Sequence, residues 1–70
     1  MEVKQTSKEL PEEEEEVLYW FAPFTKWYIG KFDGGWHFYN RNGFCDGHDA
    51  PYWIKMTELP DPREINFNKD

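Results

Sequence analysis

Cys45, Asp46, His48 and Asp49 crowd a thiol, an imidazole and two carboxylates into one short stretch. Such groups ligate metals, and a thiolate beside an imidazole can act as nucleophile and base. Cys45-x-x-His48 supplies two ligands, and His37 or Asp49 a third. A closed zinc site draws mostly on Cys and His; with one Cys and two His in the chain, it would need a second subunit. Covalent catalysis by Cys45 and His48 needs a substrate pocket, typically about 300–1,000 Å³, and a 70-residue chain has little volume for one. The stretch therefore reads as a polar loop in which Cys45 is a small apolar filler. No metal, no cofactor and no enzymatic activity are expected.

Glu12, Glu13, Glu14, Glu15 and Glu16 are the second candidate. The formal charge is −6, of which these five supply −5, so the remainder sums to −1. Adjacent acids repel one another and stay solvated, whereas general acid catalysis needs a carboxyl with a raised pKa. Two readings remain. The run keeps an aromatic strand soluble, or it mimics nucleic-acid phosphates in another protein's groove. Direct nucleic-acid binding is disfavoured, because it needs clustered Lys and Arg, and the eight here are scattered. Gly34-Gly35 lacks the following Lys of a phosphate-binding loop.

Aromatic residues make up 20% of the chain, as four Trp, four Tyr and six Phe. With a single Cys, no disulfide can form within the monomer, and ring packing must carry the core. A free thiol and no apolar leader point to the cytoplasm. The apolar run Val17–Phe24 is too short for a membrane span.

The elements that hold these groups follow from propensity and turn chemistry. Pro11 with following acids is a helix-start signal, but Val17-Leu18-Tyr19-Trp20-Phe21 is β-branched and aromatic without helical spacing, and a strand is favoured. Pro23 ends it. Lys26–Phe32 and Trp36–Tyr39 flank Asp33-Gly34-Gly35, a hairpin signal. Asn40-Arg41-Asn42-Gly43 is a second turn, Phe44–Pro51 a loop, and Tyr52–Met56 a further strand. The expected fold is mainly β: a small antiparallel three- to four-stranded meander with extended N- and C-terminal arms and no or minimal helix. Residues 1–10 form the N-terminal arm, 11–62 the single small β domain, and 63–70 a polar C-terminal tail.

Leu10-Pro11, the acids leading into Val17-Leu18, Asp33-Gly34-Gly35-Trp36 and the closing Tyr52-Trp53-Ile54-Lys55-Met56-Thr57-Glu58-Leu59-Pro60-Asp61-Pro62 form a pattern. It resembles a family of small phage and prophage proteins classed as domain of unknown function 551, over roughly residues 3–62. Val3 stands where the family opens with Trp, and Thr57-Glu58 separates Met56 from Leu59-Pro60. The resemblance implies a small sheet protein of a mobile element, without catalytic residues. A Pro-rich end loses little entropy on docking, and Pro60 and Pro62 are expected to pack on Trp53 or Trp36.

Alternation puts Trp27 and Ile29 on one side of their strand, and Tyr28 and Phe32 on the other. Trp36 and Phe38 oppose His37 and Tyr39; Trp53 opposes Ile54 and Met56. Both faces are therefore apolar, although a sheet packed on one side should be polar on the other. The second face is covered by the arms, by a second copy or protein partner, or serves as a stacking platform. Trp27, Tyr28, Trp36, Tyr39 and Arg41 are the candidate binding residues, of the types enriched at interface hot spots. The expected function is a non-catalytic phage-type accessory protein that binds a host or phage protein, one version being inhibition of a defence protein such as a CRISPR nuclease. An acidic nucleic-acid mimic and a small-ligand or carbohydrate module are the alternatives; a homodimer is possible.

Overall fold

Val17 to Phe21 is extended, as its β-branched and aromatic residues favour, and it becomes the middle of the sheet. The computed structural model describes residues 2–58. Its strands are β1 (Lys4–Gln5), β2 (Glu16–Phe21), β3 (Lys26–Phe32), β4 (His37–Asn40), β5 (Gly43–Asp46) and β6 (Tyr52–Lys55). They form one antiparallel sheet in the spatial order β1-β6-β2-β3-β4-β5. Among the described residues, helix is confined to single 3-10 turns at Ala22–Phe24 and Met56–Glu58. The mainly β, antiparallel fold is as expected, with two more strands and a different order.

Both added strands depend on tertiary hydrogen bonds. Gly43-Phe44-Cys45-Asp46 has weak strand propensity apart from Phe44, yet the turn at Arg41-Asn42 folds it back onto β4. The Asn40 Oδ1 accepts from the Asn42 N–H at 2.8 Å in that turn. The arm segment Lys4–Gln5 pairs with β6. Behind it the Thr6 N–H donates to the Pro51 carbonyl, and its buried hydroxyl donates to the Ala50 carbonyl. β6 returns beyond β2 because the Gly47–Pro51 loop crosses the sheet end, where the Ala22 N–H donates to the Asp49 carbonyl at 2.8 Å. Hence the sheet is not a simple meander.

One face is the core. Val17, Tyr19, Phe32, Phe38, Ala50 and Trp53 are buried together. Only two residue pairs, Lys31–Tyr39 and Phe32–Phe38, join β3 to β4. The β4–β5 hairpin then curls over the core face, so that Phe38 stacks on Tyr19 at 5.0 Å and the Asn40 Nδ2 reaches the Tyr19 hydroxyl at 3.0 Å. Gly30 permits this crossing: a β-carbon there would collide with the Tyr39 carbonyl oxygen and meet the Tyr19 ring at 2.8 Å. Trp53 is fully buried between the N-terminal segment and the sheet. Its Nε1–H donates to the Glu9 carbonyl at 2.8 Å, and the Lys4 and Lys55 ammonium groups lie 5.8 and 5.7 Å from its ring. The expected docking of Pro60 and Pro62 on Trp53 or Trp36, and the polar tail, lie outside the described residues.

Glu12 to Glu15 form a turn and not a helix start. The Glu15 N–H donates to the Glu12 carbonyl, the Glu12 N–H to the Glu15 Oε1 at 2.8 Å, and Glu14 has φ 64°. Partial burial alone would raise the Glu15 pKa, but the Glu12 N–H and the Lys55 ammonium at 3.0 Å outweigh it and hold the carboxyl below its ordinary range. A carboxyl depressed on folding adds stability above its unfolded pKa and loses it as pH falls through the folded value. Stability should therefore decline below about pH 4.5, and Glu15→Gln should flatten that acid limb while leaving the unfolding free energy at low pH unchanged. Urea titrations from pH 7 to pH 3 check this.

Candidate protein-binding face

The outer face of the sheet is built by register. Trp20 lies opposite Trp27 on one side and Tyr52 on the other; Leu18 lies opposite Ile29 and Ile54. Alternation turns all six side chains away from the core, giving two cross-strand rows over β6, β2 and β3. Trp27, Ile29 and Tyr52 are 40%, 53% and 44% exposed, Leu18 and Trp20 are half-buried, and Ile54 is buried. The Trp20 and Trp27 rings meet edge-on at 5.3 Å. Past Ile29 the face turns polar. Glu16 opposes Lys31, which opposes Tyr39, and an open depression of about 630 Å³ there also takes in Arg41.

The five residues singled out from sequence do not share one surface. Trp27 stands on the outer face. Tyr39 is on the same side farther along, half-buried, its hydroxyl donating to the Glu14 carboxylate at 2.6 Å. Glu14 and desolvation both raise the Tyr39 pKa. Arg41 sits exposed in the β4–β5 turn. Tyr28 points to the core face, half-buried against Tyr19 and Phe21 at 6.1 and 5.7 Å. Trp36 also lies on the core side, over Gly47, where a β-carbon would come within 2.8 Å of its ring. The grouping fails because Tyr28 follows Trp27 directly and so must point the opposite way. Leu18, Trp20, Ile29 and Tyr52 went unselected. Alternation already paired Ile29 with Trp27, but register was needed to add β2 and β6.

The acidic run is divided in use. Glu15 is held by Lys55 and Glu14 by Tyr39, while Glu12, Glu13 and Glu16 stay exposed.

The Cys45–Asp49 stretch is the end of β5 followed by a turn at Gly47–Asp49. The Asp46 Oδ1 accepts from the His48 and Asp49 N–H groups at 3.0 and 3.3 Å, while His48 is exposed. Among the described residues, no three His, Cys, Asp or Glu side chains come together as a metal set. Cys45 lies on β5 facing the core side, paired with Phe38. Burial, followed by Asp49 and Asp46, pushes its thiol up to about 11. The thiolate is the reactive form, and its scarcity is only partly offset by the greater nucleophilicity of a more basic sulfur, so thiol–disulfide exchange at pH 8 should run roughly tenfold slower than for an ordinary thiol. A DTNB time course checks this; a rate matching free cysteine would disprove the burial.

The fold and this face define a small, single-sheet antiparallel β protein with an apolar outer surface. Comparisons with known protein families, curated proteins and solved structures find no match to this chain. Among the described residues no helix is long and apolar enough to cross a membrane.

Proposed function

We propose that this chain is a non-catalytic binding protein whose outer sheet face, centred on Trp20, Trp27, Ile29 and Tyr52, is the contact surface for a protein partner. The observation that carries this reading is the pair of apolar cross-strand rows on the face opposite the core. An antiparallel sheet normally keeps that face polar, contiguous exposed apolar patches mark interaction sites, and Trp and Tyr dominate interface hot spots. The Glu16–Lys31 row supplies a polar rim beside the apolar centre, the usual layout of an interface. The resemblance to a phage family supports a host or phage protein as the partner class, with inhibition of a defence protein as one form.

The test is photo-crosslinking in host lysate with benzoylphenylalanine at position 27. The reading expects one dominant protein adduct, lost in Ile29→Lys. Lys is accommodated on an exposed position, so the variant should keep its Tm within a few degrees. Absence of any adduct, or adducts unaffected by Ile29→Lys, would reject this face. An adduct with a second copy of the chain, matched by a dimer in light scattering, would replace the host partner with self-association.

A further inference from the structure

The opposite, concave side of the sheet carries a second arrangement. In an antiparallel pair, facing residues alternate between exchanging hydrogen bonds and not doing so. The Gly47 N–H donates to the Trp36 carbonyl at 2.7 Å. Counting in twos along the β4–β5 register, Phe38/Cys45 and Asn40/Gly43 exchange bonds, whereas Tyr39/Phe44 and His37/Asp46 do not. The N–H and C=O of Phe44 and the N–H of Asp46 therefore point away from β4. β5 is the last strand of the sheet, and no strand lies on that side among the described residues. Natural edges are commonly blunted by Pro or Lys; Gly43-Phe44-Cys45-Asp46 has neither, and Phe44 is 75% exposed.

A cleft of about 180 Å³ adjoins this edge. Gly43, Phe44 and Cys45 line it from the edge strand; Tyr19, Phe21 and Tyr28 line it from the core face of β2 and β3. An apolar cavity of about 150 Å³ accepts benzene, so the cleft has room for one ring. Open backbone donors and acceptor beside a one-ring pocket match the two parts of strand-addition recognition, in which main-chain bonds give affinity and a side-chain pocket gives specificity. Charge adds direction. Arg41 stands at the turn end of β5, and Asp46 and Asp49 at the other.

We infer that β5 is a docking edge for an extended peptide segment of a partner protein, which adds as a seventh, antiparallel strand and inserts one aromatic side chain into the Tyr19–Phe21–Tyr28 cleft. A peptide running antiparallel to β5 brings its N-terminal part to Asp46 and Asp49, so a basic residue precedes the ring and an acidic one follows it. The site lies on the opposite side from the face proposed above and stands independently of it.

The experiment uses the full chain and the capped heptapeptide Ac-Lys-Val-Thr-Phe-Thr-Val-Glu-NH2, followed by amide NMR. Saturable shifts are expected at the Phe44 and Asp46 amides by 1 mM peptide, with at least tenfold weaker binding when the central Phe is Ala or when alternate peptide amides are N-methylated. Phe44→Pro removes the exposed ring and one outward N–H, which an edge strand tolerates, and should abolish binding; Phe44→Thr, which loses the same ring but keeps that N–H, should retain it within about threefold. Dispersed spectra of both variants establish folding. No shift with the parent peptide overturns the inference. So does equal binding of the N-methylated peptide, or saturation by indole alone without any preference for the peptide, which would make the cleft a small-molecule site. Concentration-dependent shifts on β5 without peptide would assign the edge to a second copy and also overturn it.

Discussion

Gly30→Ala is expected to destabilise the protein by about 3 kcal/mol, the upper range for forcing atoms into packed structure. Native stability is commonly only about 0.05–0.15 kcal/mol per residue, so this one methyl group would remove a large share of it. The reason is the crossing of β4. The added carbon would collide with the Tyr39 carbonyl and press on the Tyr19 ring. Tyr39 backbone atoms cannot move without breaking its pairing with Lys31, and Tyr19 cannot move without losing Phe38 and Asn40. Equilibrium urea unfolding measures the effect. A change below 1 kcal/mol would mean that the hairpin does not lie over Gly30. Alanine at Gly35, where a β-carbon meets nothing closer than 3.5 Å, is the control expected to be mild.

Trp53→Ala should be comparably severe, about 3–5 kcal/mol, as is usual for emptying a large buried aromatic site. Trp53 is fully buried and holds three parts of the chain at once: β2 across the ladder, the N-terminal segment through the Glu9 carbonyl, and Lys4 and Lys55 beside its ring. Should that variant fail to fold, Trp53→Phe isolates one contribution. It keeps most of the apolar bulk but strips the Glu9 carbonyl of its donor, a loss of about 1–3 kcal/mol. Amide exchange at residues 6–9 should then accelerate well beyond exchange in β3. Uniform acceleration throughout the sheet would show that the indole N–H does not tether the segment.

The two outcomes bear on both proposed surfaces. Gly30 sets the curl that creates the cleft beside β5, and Trp53 anchors the layer that covers the core face. A chain released at Trp53 would expose a second apolar face, and the outer rows of Trp20, Trp27, Ile29 and Tyr52 would no longer be its distinctive surface.

Much of the local structure could be read from residue types. Ring-rich, β-branched segments at Val17–Phe21, Lys26–Phe32 and Tyr52–Met56 marked strands, Asp33-Gly34-Gly35 marked a turn, and alternation separated Trp27 from Tyr28. β5 and β1 could not be read this way. Gly43-Phe44-Cys45-Asp46 and Lys4–Gln5 are strands because partners at β4 and β6 satisfy their backbone groups. The outer face was half legible. Period-two spacing paired Trp27 with Ile29, while adding Trp20 and Tyr52 required knowing that β2 lies between β3 and β6.

Residue chemistry alone thus settles what this chain is made of: one antiparallel β layer, rich in rings. Strand order, register and curl were settled in three dimensions. The physical reason is that propensity and turn chemistry act over a few neighbouring residues. The placement of β6 against β2, the cover over Trp53 and the crossing at Gly30 arise from contacts between residues distant in the chain. Those contacts divide the rings between a buried face and an open one.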